Sequence, residues 1–258
     1  PGGGSTRVPR EGEGRLVEPH EVLIKQYFEG AYSTDIQTET ATYHGECALG
    51  VGQAIRRKIE EFRETKQCME YLEKEIGVPY PWAKYDQVCV QDFNWWGMEN
   101  TSLSTLNAST LFSLETENIR SSQGLVAHEL AHQWFGDLVT CSDWSQAWLN
   151  EGWATYSEYL WRCHDLGQEE ADLGLFKQLG NYLGEASGRY CRCIVHYHYR
   201  KPIDLFDRHL YEKGSLVLHT LRHTIGDDAF FEGTRIYLRK HAFGSVHTRD
   251  FQRALEGA

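Results

Sequence analysis

"VAHELAHQWFGDLVT", Val126 to Thr140, places two histidines and a glutamate within five consecutive residues. In a helix, residues four apart share a face, so His128 and His132 present their imidazoles to one point in space. Glu129, next to the first of them, is able to reach a water held at that point. Composition predicts only about 0.05 chance matches to such a string in the whole chain, but histidines on an apolar face are more often core residues than ligands. The third donor therefore decides. Catalytic zinc takes three protein ligands and keeps one position open. A local continuation, Gly and His three and six residues after His132, is absent, because Phe135 and Leu138 stand there. Instead "WLNEGWATYSEYL" (148–160) offers Glu151, 19 residues after His132. A loop of about ten residues between two antiparallel helices brings that carboxylate onto the same ion. Glu158, two turns further along the same face, is placed to take a hydrogen bond from a ligand's other nitrogen.

The rest of the chain agrees with a folded enzyme. Its 258 residues are enough to bury a sizeable core, and 41% hydrophobic and 13% aromatic content, with eight Trp, exclude a disordered chain. A net charge of −11 argues against nucleic acid and anionic membrane as main partners, since both select basic faces. No apolar run approaches the ~20 residues of a membrane span, and the N-terminal stretch has no apolar signal-peptide core. Seven cysteines, an odd number without framework spacing, predict reduced thiols and a cytoplasmic setting. "CRCIVHYHY" (191–199) matches no zinc pattern, and its alternation predicts a strand.

Residues 1–20 are expected to be a flexible lead-in, and 21–50 contain strand-like pieces. Helical spacing runs from Ala54 to Ile76, with Thr65 a candidate cap and Gly77 a stop. KYDQVCVQDF (84–93) and SLSTLNAST (102–110) alternate like strands. Then come a helix capped by Ser121 or Ser122 and ending at Gly136, and one capped by Asp143 or Ser145 and ending near His164. Two more cover Tyr211 to Thr224 and Asp227 to His241. Near the C-terminus Thr248 is the expected cap, with Asp250 in the first turn.

"HELAHQWFGDLVT" followed by "WLNEGWATYSE" resembles the aminopeptidase N family of gluzincins, which includes a leukotriene hydrolase. "GMEN" (97–100), "YEKG" (211–214) and "GVPYPWAKYDQV" (77–88) extend the resemblance from about Thr65 to the C-terminus. It implies a thermolysin-like α+β catalytic domain, a small mixed sheet packed on helices, over residues 51–258. It also implies a remnant of a β-rich domain within 1–50 and a helical domain missing after Ala258. By this resemblance His128, His132 and Glu151 hold one zinc ion, Glu129 is the general base and Tyr211 stabilises the transition state. Glu99 binds the free amine of a peptide substrate, and Gly97 and Met98 offer backbone groups to it. One departure stands out: Trp96 occupies the place of the family's first glycine in Gly-x-Met-Glu-Asn. The expected activity is release of N-terminal residues from peptides. The alternatives are a thermolysin-type endopeptidase, against which GMEN argues, and a peptide-binding or scaffold domain without turnover. An epoxide hydrolase is less favoured than either.

Overall fold

The computed structural model describes residues 64–110 and 121–258. The expected lead-in, the strand-like pieces of 21–50 and the helical pattern up to residue 63 lie outside these. Helix α1 (Thr65–Ile76) buries Cys68, Met69, Leu72 and Ile76 on one face. It stops at Gly77, where a left-handed φ of 72° returns the amide to the carbonyl of Glu73. Strands β1 (Asp86–Val90), β2 (Gly97–Met98) and β3 (Leu103–Asn107) follow, in the spatial order β1-β3-β2. β1 pairs parallel with β3, and β2 pairs antiparallel with β3, so the small sheet is mixed and β2 forms an edge. Cys89 and Leu106 on its inner face pack with Val126.

Helix α2 (Gln123–Ala131) carries the opening motif and is followed by β4 (Val139–Cys141), a 3-10 turn (Trp144–Gln146) and α3 (Trp148–Leu166). Then come α4 (Gln168–Gly188), α5 (Glu212–Ile225), α6 (Asp227–His241), β5 (Gly244–Val246) and α7 (Thr248–Glu256). β4 and β5 form a separate parallel pair. α3 lies at the centre, packed against α2, α4 and α5. Its Trp153 stacks on Phe135 with centroids 4.2 Å apart and also meets Tyr156, Phe230 and Phe251. Burying such rings contributes about 1.5–3 kcal/mol each and fixes the helix that bears Glu151. Among the described residues no helix is long and apolar enough to cross a membrane.

Several expectations are corrected. The motif helix ends at Ala131, not Gly136: residues after it tighten into i→i+3 bonds, Gln133 to Leu130 and Trp134 to Ala131. That turn delivers the Phe135 carbonyl to the ring of His132. The stretch 191–199 forms no strand; Arg192 and its partners hold it instead of a ladder. Helix α4 was not expected, because glycines at 174, 180, 184 and 188 weaken the helical pattern. It leaves Leu173, Phe176 and Leu183 exposed. The cap of α7 is His247, one residue early; the Thr248 hydroxyl instead bonds Gln146 and Trp148. Likewise Glu64 and not Thr65 precedes α1, since the Thr65 hydroxyl is committed to Gln87. The six described cysteines are free.

Candidate metal centre and substrate cleft

His128 and His132 lie on the inner face of α2, one turn apart, with ring centroids 4.9 Å from each other. α3 crosses beside them, and Glu151 in its first turn sets Oε2 3.2 Å from each Nε2. The outer nitrogens are committed elsewhere. His128 Nδ1 lies 2.8 Å from Glu158 Oε1, and His132 Nδ1 lies 2.9 Å from the Phe135 carbonyl. Both partners accept only, which assigns the hydrogen to each Nδ1 and leaves each Nε2 lone pair facing Glu151. Three acceptors thus converge in a buried place, an arrangement that requires a cation or extra protons. Electrostatics express the same demand. Burial works against a charged His128, but Glu151 and Glu158 outweigh it and hold the imidazole well above its ordinary range. Burial also opposes the Glu151 carboxylate, yet His132 and His128 bring it down to about 2. Two imidazoles and one carboxylate fit zinc.

Glu129 points from the same turn of α2 into the site. Burial pushes its carboxyl up to about 7, against the pull of His128 and His132 and with help from Glu99. Its Oε2 is buried without a protein partner among the described residues. Gly97 on β2 lies against this carboxylate so closely that a Cβ there would collide with it. The glycine is thus a steric requirement of Glu129. Glu99, two residues along, brings a carboxylate oxygen within 4.8 Å of donor atoms of Glu129 and His132. Met98 between them is partly exposed at the sheet edge.

The residue that sets this edge against the helix is Gln133, which the sequence reading passed over. Its buried amide accepts the Ser102 amide at 2.7 Å and donates toward the Glu99 carbonyl at 3.4 Å, while its own carbonyl accepts from Trp82. A glutamine between His132 and Trp134 in an otherwise apolar run was the available signal. Asn107 plays a matching part for the preceding loop. Its side chain donates to the carbonyls of Phe93 and Trp95, and its amide donates to Trp96. Trp96 therefore stands on a pinned loop with its indole 68% exposed.

Tyr211 arrives from α5, its ring 6.1 Å from that of His128. Burial first, then the carboxylates of Glu151, Glu99 and Glu129, raise its pKa, so the phenol keeps its proton. α5 comes this close because two glycines meet where it crosses α3. A Cβ on Gly214 would lie 2.7 Å from Gly152 Cα, and one on Gly152 would lie 3.0 Å from Gly214 Cα. One glycine follows Glu151 and the other sits one turn after Tyr211, so the nearest approach of the helices is at the site. Asp207 organises the turn entering α5, accepting the amides of His209 and Leu210 and both arms of Arg192.

A cleft of about 420 Å³ opens beside His128, Glu129 and Tyr211 and is walled by Trp95, Trp96, Gly97 and Leu125. Thr110, Ser121, Ser122 and Glu158 complete its lining.

The profile of the peptidase family M1 domain matches residues 60–258. Aminopeptidase 2 of Candida albicans is 32% identical over 207 residues, 74% of this chain and 22% of that protein. Aminopeptidase N of Streptomyces lividans is 32% identical over 206 residues, 76% of this chain and 24% of that protein. Among solved structures, yeast LTA4 hydrolase in complex with bestatin superposes with a TM-score of 0.70 at 28% identity. That match covers 78% of this chain and 33% of the other. An M1 zinc metallopeptidase variant from Deinococcus radiodurans gives 0.60 at 28% identity, over 75% of this chain and 40% of that one. The chain spans about a quarter of the length of the curated relatives it matches.

Proposed function

The chain belongs to peptidase family M1, and on that premise we propose that it is a zinc aminopeptidase domain acting on peptides with a free N-terminus. His128, His132 and Glu151 would hold one zinc ion per chain, which would supply a Lewis acid and lower the pKa of a water molecule toward ~7. Glu129 takes a proton from the attacking water and returns it to the leaving amine. Tyr211, kept protonated, donates to the oxyanion that develops on the scissile carbonyl. The open edge of β2 offers backbone groups at Gly97 and Met98 to an extended peptide. Glu99 holds the substrate ammonium.

The observation that carries this reading is the Glu99 carboxylate beside Glu129 and His132, within 4.8 Å of their donor atoms. An ammonium anchor so near the base leaves room for one residue before the bond to be cut. The test compares a peptide with its N-acetylated twin on zinc-loaded protein. The free peptide is expected to be cleaved and the blocked one spared. Glu99→Ala should cost about 2–5 kcal/mol in kcat/KM on the free peptide. Equal cleavage of both peptides would point to an endopeptidase, and zinc binding without turnover on either would point to a peptide-binding domain.

A further inference from the structure

The histidine pair of α2 has a counterpart on α5. His219 and His223 are also four residues apart on one helix. Their ring centroids lie 4.3 Å apart with the planes at 61°, against 4.9 Å and 77° for His128 and His132. The spacing sets both rings over the same side of α5, as it does on α2. His219 is half-buried against α3 and His223 is exposed. The His219 ring meets Tyr159 edge-on at 5.0 Å, and its Nδ1 lies 3.5 Å from the Tyr156 hydroxyl. That hydroxyl is able to accept the Nδ1 hydrogen, which leaves Nε2 free to donate to an ion, the division that Glu158 imposes on His128. Burial first, then His223 and Arg222, holds the His219 imidazole below its ordinary range, so it is neutral at neutral pH. Two other candidates are weaker. His196 and His198 have rings 6.1 Å apart, and buried His209 has both nitrogens committed, to Glu185 and to the Arg192 amide.

We infer that His219 and His223 form a second metal site, for a divalent transition ion that favours imidazole nitrogen, zinc among them. It shares no residue with the first centre and lies about 12–18 Å along α5 from Tyr211, at 1.5 Å per residue. The surroundings suit a cation. Both histidines sit in the last two turns of α5, which ends at Ile225, where the carbonyl end of the helix carries partial negative charge. Arg222, the one fixed positive charge between them, is already paired. It bonds both carboxylate oxygens of Asp227, at 2.8 and 2.7 Å, and its guanidinium lies over the Phe231 ring. Asp172 acts on His219 with the opposite sign, and its Oδ1 is tied to Tyr159 and Gln168, which fixes that negative charge beside the pair. Two neutral donors replace the three of the first centre, one of which is a carboxylate, and water fills the remaining positions. The second ion therefore binds more weakly than the first, by about 10³-fold or more. An ion that bridges two turns of α5 favours the folded chain over the unfolded one.

The experiment is equilibrium dialysis of the whole chain against zinc buffered at rising free concentration, followed by metal analysis. Binding should occur in two steps, from about one ion per chain to about two. His219→Gln and His223→Gln should each abolish the second step and leave the first, and the exposure of His223 makes its variant the one least able to disturb folding. The double variant His196→Gln with His198→Gln should keep both steps. A second arm maps acylation of histidines by diethyl pyrocarbonate on the unaltered chain, by mass spectrometry. Raising zinc from the first step to the second should protect His219 and His223 severalfold and leave His196 and His198 unchanged. A single step, a second step that survives both His219→Gln and His223→Gln, or one that disappears with His196 and His198 overturns the inference. So does a second ion that leaves the acylation of His219 and His223 unaltered.

Discussion

The imidazoles of α2 and the carboxylate of Glu99 reach the same few ångströms by different routes. His128 and His132 are four apart on one helix, buried, and each fixed by a partner at its outer nitrogen. Their geometry follows from the pitch of a helix and a single crossing by α3. Glu99 follows directly after the two-residue edge strand and depends on Gln133 for its place against the helix. One half of the site is local and rigid, and the other is assembled from tertiary contacts. On the proposed aminopeptidase reading, chemistry belongs to the first half and choice of substrate to the second.

The largest expected effect falls on the local half. His132→Ala removes one of three donors, so metal analysis should drop from about one zinc per chain to near zero, with all turnover lost. Retained stoichiometric zinc would mean that the donor set is not His128, His132 and Glu151. Next, Glu129→Gln should keep the metal yet lower kcat by about 10²–10⁴-fold, the usual worth of a general base. Near-normal turnover in that variant would take the role from Glu129.

Two smaller effects probe α5, the helix that brings Tyr211 to the site. Asp207 is buried against Arg192, 2.7 Å away. Burial opposes its charge, but the Arg192 guanidinium and the Tyr190 hydroxyl hold its carboxyl below the usual range. A depressed folded value contributes stability that is present above the unfolded pKa of ~3.9 and is lost as pH falls through the folded value. Thermal unfolding should therefore show an acid-side loss that Asp207→Asn reduces, leaving the part that depressed carboxylates such as Glu151 contribute, while that variant is destabilised at neutral pH by about 3 kcal/mol. Unchanged acid stability in the variant would remove Asp207 as its source.

Last, Gly214→Ala should push α5 away from Gly152 and carry Tyr211 with it, lowering kcat by about 10–10²-fold with zinc and KM retained. In a Tyr211→Phe background the same change should add little, since the group it displaces is already gone. Full additivity would show that Gly214 acts by some route other than Tyr211.

Much of the site was legible in the sequence because helices repeat. Periodicity alone put His128 and His132 on one face, and the spacing to Glu151 and Glu158 named the third donor and the outer partner, all of which the structure brings together. β1 and β3 were legible from alternation, and α5 and α6 from their helical signals. The failures share a cause. α4 escaped because glycines at 174, 180, 184 and 188 erase the local preference that its packing on α3 overrides. The alternation at 191–199 imitated a strand although no partner strand lies beside it among the described residues. Gln133 and Asn107 went unread because a polar side chain in sequence carries no sign of which distant carbonyl it will meet.

What the sequence by itself determined is the meeting of His128, His132 and Glu151 and the family, since both rest on residue identity at fixed helical spacing. Only the tertiary structure decided how closely Gly97 backs Glu129, where Glu99 sits relative to His132, and that Gly152 and Gly214 are a contact. It alone turned two tryptophans toward one end of α2. Those are distances between elements far apart in the chain, set by how side chains exclude one another when the core closes, and no local pattern encodes them.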